Sequence, residues 1–171
     1  MTPETQMKEL AALIAVITLA WPATSTATKV GARAPKFGLP ALKGGKTVRL
    51  ADFAGKVVVV DFWASWCKPC KKELPELSRL QKKYAKHGLA ILAISVDEEP
   101  EAARRFTKKV DGELRWLWDK GGKKVASRYN PPKMPTSYFI DRKGVIRYVH
   151  RGFEKSDLPK IKAEIRRLLA Q

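Results

Sequence analysis

The apolar positions of this chain fall into runs whose period changes from one stretch to the next. Lys56 to Trp63 (KVVVVDFW) is a continuous β-branched run without alternation, which predicts a central strand covered on both faces. Leu74, Leu77, Leu80 and Tyr84 recur at spacings of 3, 3 and 4, so a helix is predicted from about Pro69 to Lys86, ended by Gly88. Leu89 to Val96 (LAILAISV) reads as a second buried strand, and Glu99 to Val110 as a solvated helix. A short strand is predicted at Leu114 to Trp118 and a short helix at Lys123 to Tyr129. Ser137 to Asp141 and Val145 to Arg151 form a strand pair turned at Arg142-Lys143-Gly144, and Leu158, Ile161, Ile165 and Leu168 mark a last amphipathic helix. Ahead of all this, Pro35, Pro40 and Gly44-Gly45 punctuate Ala32 to Arg49, which predicts a hairpin. The order is ββ-βαβα(βα)ββα, an α/β domain without internal repeats.

One further run stands apart. Leu10 to Trp21 (LAALIAVITLAW) is an apolar stretch of about 12 residues, shorter than the ~20 that span a bilayer. Lys8 precedes it, Pro22 breaks it, and Ser25-Thr26-Ala27 offers the small-x-Ala pattern read by signal peptidase. Residues 1–27 are therefore expected to be a secretory signal, cleaved or kept as a short anchor with residues 8–21 as the tether. Residues 28–171 are the folded domain. Glu4 and Glu9 offset Lys8, and a start at Met7 would remove Glu4.

Composition narrows the function. At 171 residues there is room for one domain with an appendage, and 44% hydrophobic with 30% charged residues excludes disordered and multi-span membrane classes. The net charge of +17 raises nucleic-acid binding, but the basic pairs are scattered through nearly every element and no base-reading motif accompanies them. A solvated basic surface near anionic lipid explains the charge more simply, and no nucleic-acid partner is expected.

The chemistry lies in Trp66-Cys67-Lys68-Pro69-Cys70, which holds both cysteines of the chain. A C-x-x-C at a strand-to-helix junction signals dithiol redox chemistry. The helix N-terminus directs unpaired N–H groups and partial positive charge at the Cys67 sulfur, favouring thiolate. Pro69 suits the first turn because it has no N–H to waste. Cys67 is expected to be the exposed nucleophile, and Cys70, one turn in, the buried resolving thiol. As a staple the bond would close only a four-residue loop, worth roughly 2 kcal/mol. As a zinc half-site it lacks partners, since His87 and His150 stand alone, and a peroxidatic cysteine would need only one thiol.

The stretch Val57 to Leu77 (VVVVDFWASWCKPCKKELPEL) closely resembles extracytoplasmic thioredoxin-like proteins of the TlpA/ResA type. The resemblance runs from about Gly31 to Leu168. It takes in Ala34-Pro35-Lys36-Phe37, Gly55-Lys56, Met134-Pro135-Thr136, Phe139-Ile140-Asp141 and Gly144. It implies a thioredoxin fold, a central mixed sheet flanked by helices, with an N-terminal β-hairpin and an insert at about Asp97 to Trp116. It implies a cis Met134–Pro135 bond against the dithiol, with the Met134 backbone open to an extended substrate strand and Trp66, Lys68 and Pro69 beside it. Pro75 matches the family's kink in the active-site helix.

Two acids are expected to manage protons. Asp61, after four valines, should be buried with a raised pKa and matches the buried acid of thioredoxin. Glu73, at i+3 from Cys70, matches the active-site Glu of the ResA type, with a surface pair to Lys71 or Lys72 as its alternative. ResA-type members often carry Asn at the position of Asp61, thioredoxin lacks the Glu, and its Lys partner is missing from Leu89 to Val96. Asp61 is the favoured acceptor of the Cys70 proton, with Glu73 tuning the site.

The expectation is a periplasmic or otherwise extracytoplasmic thiol-disulfide oxidoreductase needing no cofactor beyond its own dithiol. The resemblance implies a reductase of specific protein disulfides, such as apocytochrome c or a metal-site assembly protein, recharged by a membrane-bound electron donor. Its alternatives are a general oxidase or isomerase, and a redox-inactive adaptor that binds extended peptides.

Overall fold

A computed structural model of the protein describes residues 28–110 and 112–171. The expected signal or anchor at 1–27 lies outside the described residues. Among those described, no helix is long and apolar enough to cross a membrane.

The element order is β1 (Gly38–Pro40), β2 (Thr47–Arg49), β3 (Val57–Trp63), α1 (Lys68–Tyr84), β4 (Leu89–Ser95), α2 (Pro100–Thr107), β5 (Arg115–Trp118), α3 (Ala126–Tyr129), β6 (Thr136–Ile140), β7 (Ile146–Arg151) and α4 (Leu158–Leu169). β1 and β2 pair antiparallel as the predicted hairpin. The other strands form one mixed sheet in the order β5-β4-β3-β6-β7. β3 runs parallel to β4 and antiparallel to β6.

β3 is buried along its whole length because both sheet faces are covered. Val57, Val59 and Trp63 join Leu74 and Leu77 of α1 and Ile161 and Ile165 of α4 in one cluster. Val58, Val60 and Phe62 point the other way, toward Phe37, Leu39 and Tyr129. Side chains along a strand alternate between faces, so Asp61 shares the α1 and α4 side with Val59 and Trp63. This parity brings an acid under the active-site helix.

The structure corrects several predicted boundaries. The hairpin strands are only three residues each, and part of the predicted hairpin segment serves the sheet instead: Arg33 bridges Val145 and the Ile146 N–H donates to Ala32 O at 2.9 Å. α1 ends at Tyr84 in a 3-10 turn, Ala85–His87, before Gly88 takes φ +94°. The predicted helix at Lys123 to Tyr129 shortens to a single turn of α3. The insert consists of α2 and the connection to β5, which docks parallel on β4.

Candidate active site

β3 delivers the chain to a turn held by a long-range clamp. The Ser65 N–H and hydroxyl donate to the Asp97 carboxylate, the hydroxyl at 2.7 Å, and Ser95 Oγ donates to the same carboxylate at 2.7 Å. Trp118 Nε1 donates to Asp97 O at 2.8 Å. Ser65 stands two residues before Cys67, so this buried acid fixes the turn that presents the sulfur. Sequence reading missed Asp97, because its partner lies 32 residues away.

Cys67 caps α1. Its Sγ accepts from the Cys70 N–H at 3.3 Å and is bonded to Cys70 Sγ, with the two Cα atoms 5.3 Å apart. Lys68 and Pro69 follow in the first turn, where proline's missing N–H costs nothing. Pro75 lies inside α1 and cannot donate to the Lys71 carbonyl, which leaves a gap in the helical ladder. Contrary to expectation, Cys67 is not openly exposed: it is 5% accessible, against 0% for Cys70. In this oxidised state the disulfide and the Cys70 N–H hold its sulfur over the first turn. The order of access is as expected, and its size is not.

Trp66 is 66% exposed and Lys68 is exposed, so the rim beside Cys67 offers a large apolar surface and a cation together. The Met134–Pro135 peptide bond is cis. Pro135 is buried and its carbonyl accepts from the Gly152 N–H at 2.8 Å. Met134 packs against the cluster that contains both cysteines, and its backbone N–H and C=O take no backbone partner among the described residues.

Beneath α1 the two acids meet. Asp61 and Glu73 are 0% and 1% exposed, so Glu73 is no surface partner of Lys71 or Lys72. Ser137 links them. Its hydroxyl donates to Asp61 Oδ1 at 2.8 Å and lies 3.3 Å from Glu73 Oε1. Asp61 Oδ2 and Glu73 Oε2 are buried without a hydrogen-bond partner among the described residues. Burial pushes the Asp61 pKa up to about 7, against the lowering effect of Ser137. Burial, then the charges of Asp61 and Asp157, hold Glu73 well above the usual carboxylate range, with Ser137 again opposing. Ser137 was missed from sequence. The antiparallel register sets it opposite Asp61, across 76 residues of chain.

The same row of the sheet continues to His150, which pairs with Ser137 in register. His150 is not isolated: Nδ1 lies 3.2 Å from Tyr148 OH and Nε2 3.3 Å from Asp157 Oδ2, an ion-pair distance without hydrogen-bond alignment. Burial lowers the His150 pKa despite the Asp157 carboxylate. His87 lies at the far end of α1, in the turn before β4.

Comparison with known proteins agrees with this geometry. Residues 30–149 match the AhpC/TSA family. Over 118 residues the chain is 39% identical to the thiol-disulfide oxidoreductase ResA of Bacillus thuringiensis subsp. konkukian, covering 69% of this chain and 67% of that protein. The thioredoxin-like protein YneN of Bacillus subtilis is 41% identical over 125 residues, 71% of each chain. Among solved structures, one from Chlorobium tepidum described as a thiol:disulfide interchange protein DsbE superposes with a TM-score of 0.78 at 35% identity, covering 82% of this chain and 98% of its own. With a thioredoxin fold, a helix-capping C-x-x-C disulfide and these relatives, the chain belongs to the AhpC/TSA family as a thiol-disulfide oxidoreductase of the ResA type.

Proposed function

We propose that the protein reduces disulfides of specific extracytoplasmic proteins, apocytochrome c or metal-site assembly proteins among them, and is recharged by a membrane-bound dithiol donor. Residues 1–27 would carry it out of the cytoplasm. The Cys67 thiolate attacks a substrate sulfur, forming a mixed disulfide and releasing one substrate thiolate. Cys70 then passes its proton to an acceptor and attacks Cys67 Sγ. The Cys67–Cys70 disulfide forms, the second substrate thiolate leaves, and the two electrons have moved from protein to substrate. Trp66, Lys68, Pro69 and the Met134–Pro135 segment receive the substrate chain.

The observation that carries this reading is the buried Asp61–Ser137–Glu73 set beneath the dithiol helix. A hydroxyl has one proton, so Ser137 donates to one carboxyl at a time. Both contacts are satisfied together when Glu73 keeps its proton and donates to Ser137, which donates to an ionised Asp61. Asp61 then becomes the acceptor for the Cys70 proton, poised near neutrality, and Glu73 stays neutral and tunes the site. The acids and the dithiol titrate as a coupled group.

The direction of electron flow is read from the reduction potential. Equilibration of the full chain against a glutathione series is expected to give roughly −270 to −200 mV. A value above about −150 mV would make it an oxidase. The same assay tests the charge at Lys68, which is solvated and screened. Lys68→Ala destabilises the reduced thiolate form, so the potential moves more negative, by around 10 mV. Movement to a more oxidising value would show the sign to be wrong. Turnover of a dithiol-coupled assay separates the enzyme from a redox-inactive adaptor.

A further inference from the structure

Next to the dithiol lies a second feature that the exchange chemistry does not require. Ser65, Lys71, Arg105, Phe106, Lys108 and Lys109 line an open cleft of about 470 Å³. It shares a wall with the active-site turn: Ser65 stands two residues before Cys67, and the Lys71 N–H donates to Cys67 O at 3.3 Å. Lys71, Arg105, Lys108 and Lys109 are exposed, and none has a carboxylate partner among the described residues. Nearby, Glu98 pairs with Lys123, Glu99 with Lys120 and Glu101 with Arg104. Phe106 is half-buried, its ring 5.2 Å from that of Trp63, and gives the cleft an apolar element.

We propose that this cleft receives an acidic segment of the substrate protein adjacent to its reacting cysteine, so that charge selects which disulfides reach Cys67. The inference rests on the oxidoreductase reading of the dithiol and adds the substrate class to it. Four like charges around a depression with low-dielectric walls focus a positive field there, beyond what the same charges give on an open surface. A carboxylate-bearing strand relieves their mutual repulsion and reaches Cys67 without crossing the molecule. An anionic bilayer is the poorer fit. Its flat surface meets charges set in a depression badly, and it would cover the sulfur that must stay open to substrate.

The test uses the full chain, reduced, with peptides that carry one cysteine as a mixed disulfide to a chromogenic thiol. The flanks are three glutamates, three glutamines or three lysines. At about 20 mM salt the acidic peptide is expected to react about tenfold faster than the neutral one, with the basic peptide slowest. At about 0.5 M salt the advantage falls to about twofold. A triple variant, Arg105→Glu, Lys108→Glu and Lys109→Glu, is expected to cut the acidic-to-neutral ratio at least fivefold. Because the whole chain is strongly basic, a matched control is needed. Lys82→Glu, Lys86→Glu and Arg166→Glu make the same change in net charge far from the cleft, and more than half of the ratio should remain. Equal losses in the two variants would assign the preference to the overall field and overturn the proposal, as would no acidic preference at all. Vesicles with and without phosphatidylserine form the last arm. If the cleft variant loses vesicle binding and keeps its peptide ratio, the cleft is a membrane contact and the proposal fails. If no peptide reacts, the oxidoreductase reading itself has failed.

Discussion

Asp61→Asn slows resolution of the mixed disulfide about 100-fold at pH 7, while first attack by Cys67 changes by less than about threefold. The asymmetry follows from position. Cys67 caps α1, where the helix N-terminus itself favours thiolate, so its attack needs no base. Cys70 is 0% exposed, so bulk solvent does not reach its proton. In wild type the resolution rate should climb as Asp61 ionises near its pKa of about 7, and the variant should lose that limb. Ser137→Ala removes the hydrogen bond that favours the Asp61 carboxylate, so the midpoint moves upward and the rate at pH 7 falls about tenfold. Glu73→Gln keeps a neutral donor facing Ser137, so resolution changes little. Rapid mixing with a model disulfide reads resolution, and a Cys70→Ser background isolates first attack. If Glu73→Gln slows resolution at least tenfold and Asp61→Asn does not, the assignments are reversed.

These residues differ in how far sequence alone exposes them. Asp61 is legible because Val57 to Val60 before it leave no polar face for an exposed strand. The dithiol and its helix are legible because C-x-x-C, Pro69 and the leucine stripe agree on one local geometry. Glu73 is ambiguous: it flanks that stripe beside Leu74, at a position that solvent or protein could cover. Ser137 of β6 meets it from the sheet, and the side chain is buried, which no local pattern reports. Ser137 and Asp97 are illegible for another reason. Their partners are fixed by strand register and by a turn-to-turn clamp, between segments 76 and 32 residues apart. The low access of Cys67 accompanies its bond to Cys70, which its place in the chain does not report. The predicted elements survive almost intact, with errors concentrated at short pieces such as α3, where one turn of helix has no period to read.

The same buried acids should make the oxidised protein lose stability as pH rises from about 4 through 7, and Asp61→Asn should abolish most of that loss. An unfolded Asp61 ionises near 3.9, whereas in the fold burial raises its pKa to about 7. Between those values the native state holds a proton that the unfolded chain has released. Stability therefore falls with rising pH until the native carboxyl also ionises, and then levels off. Below about pH 4 both states are protonated, and the acid carries no ionisation penalty. Asparagine cannot ionise, so the variant should match wild type near pH 4 and exceed it at pH 8 by on the order of 2–4 kcal/mol. Glu73→Gln should act in the same direction, because it removes a second buried acid and relieves Asp61. Guanidinium unfolding of the oxidised full chain at pH 4, 6 and 8 measures all three proteins. A variant less stable than wild type at pH 8 would show that Asp61 is held ionised by interactions stronger than its desolvation. The outcome expected here would place the proposed acceptor among residues kept for chemistry at the expense of stability.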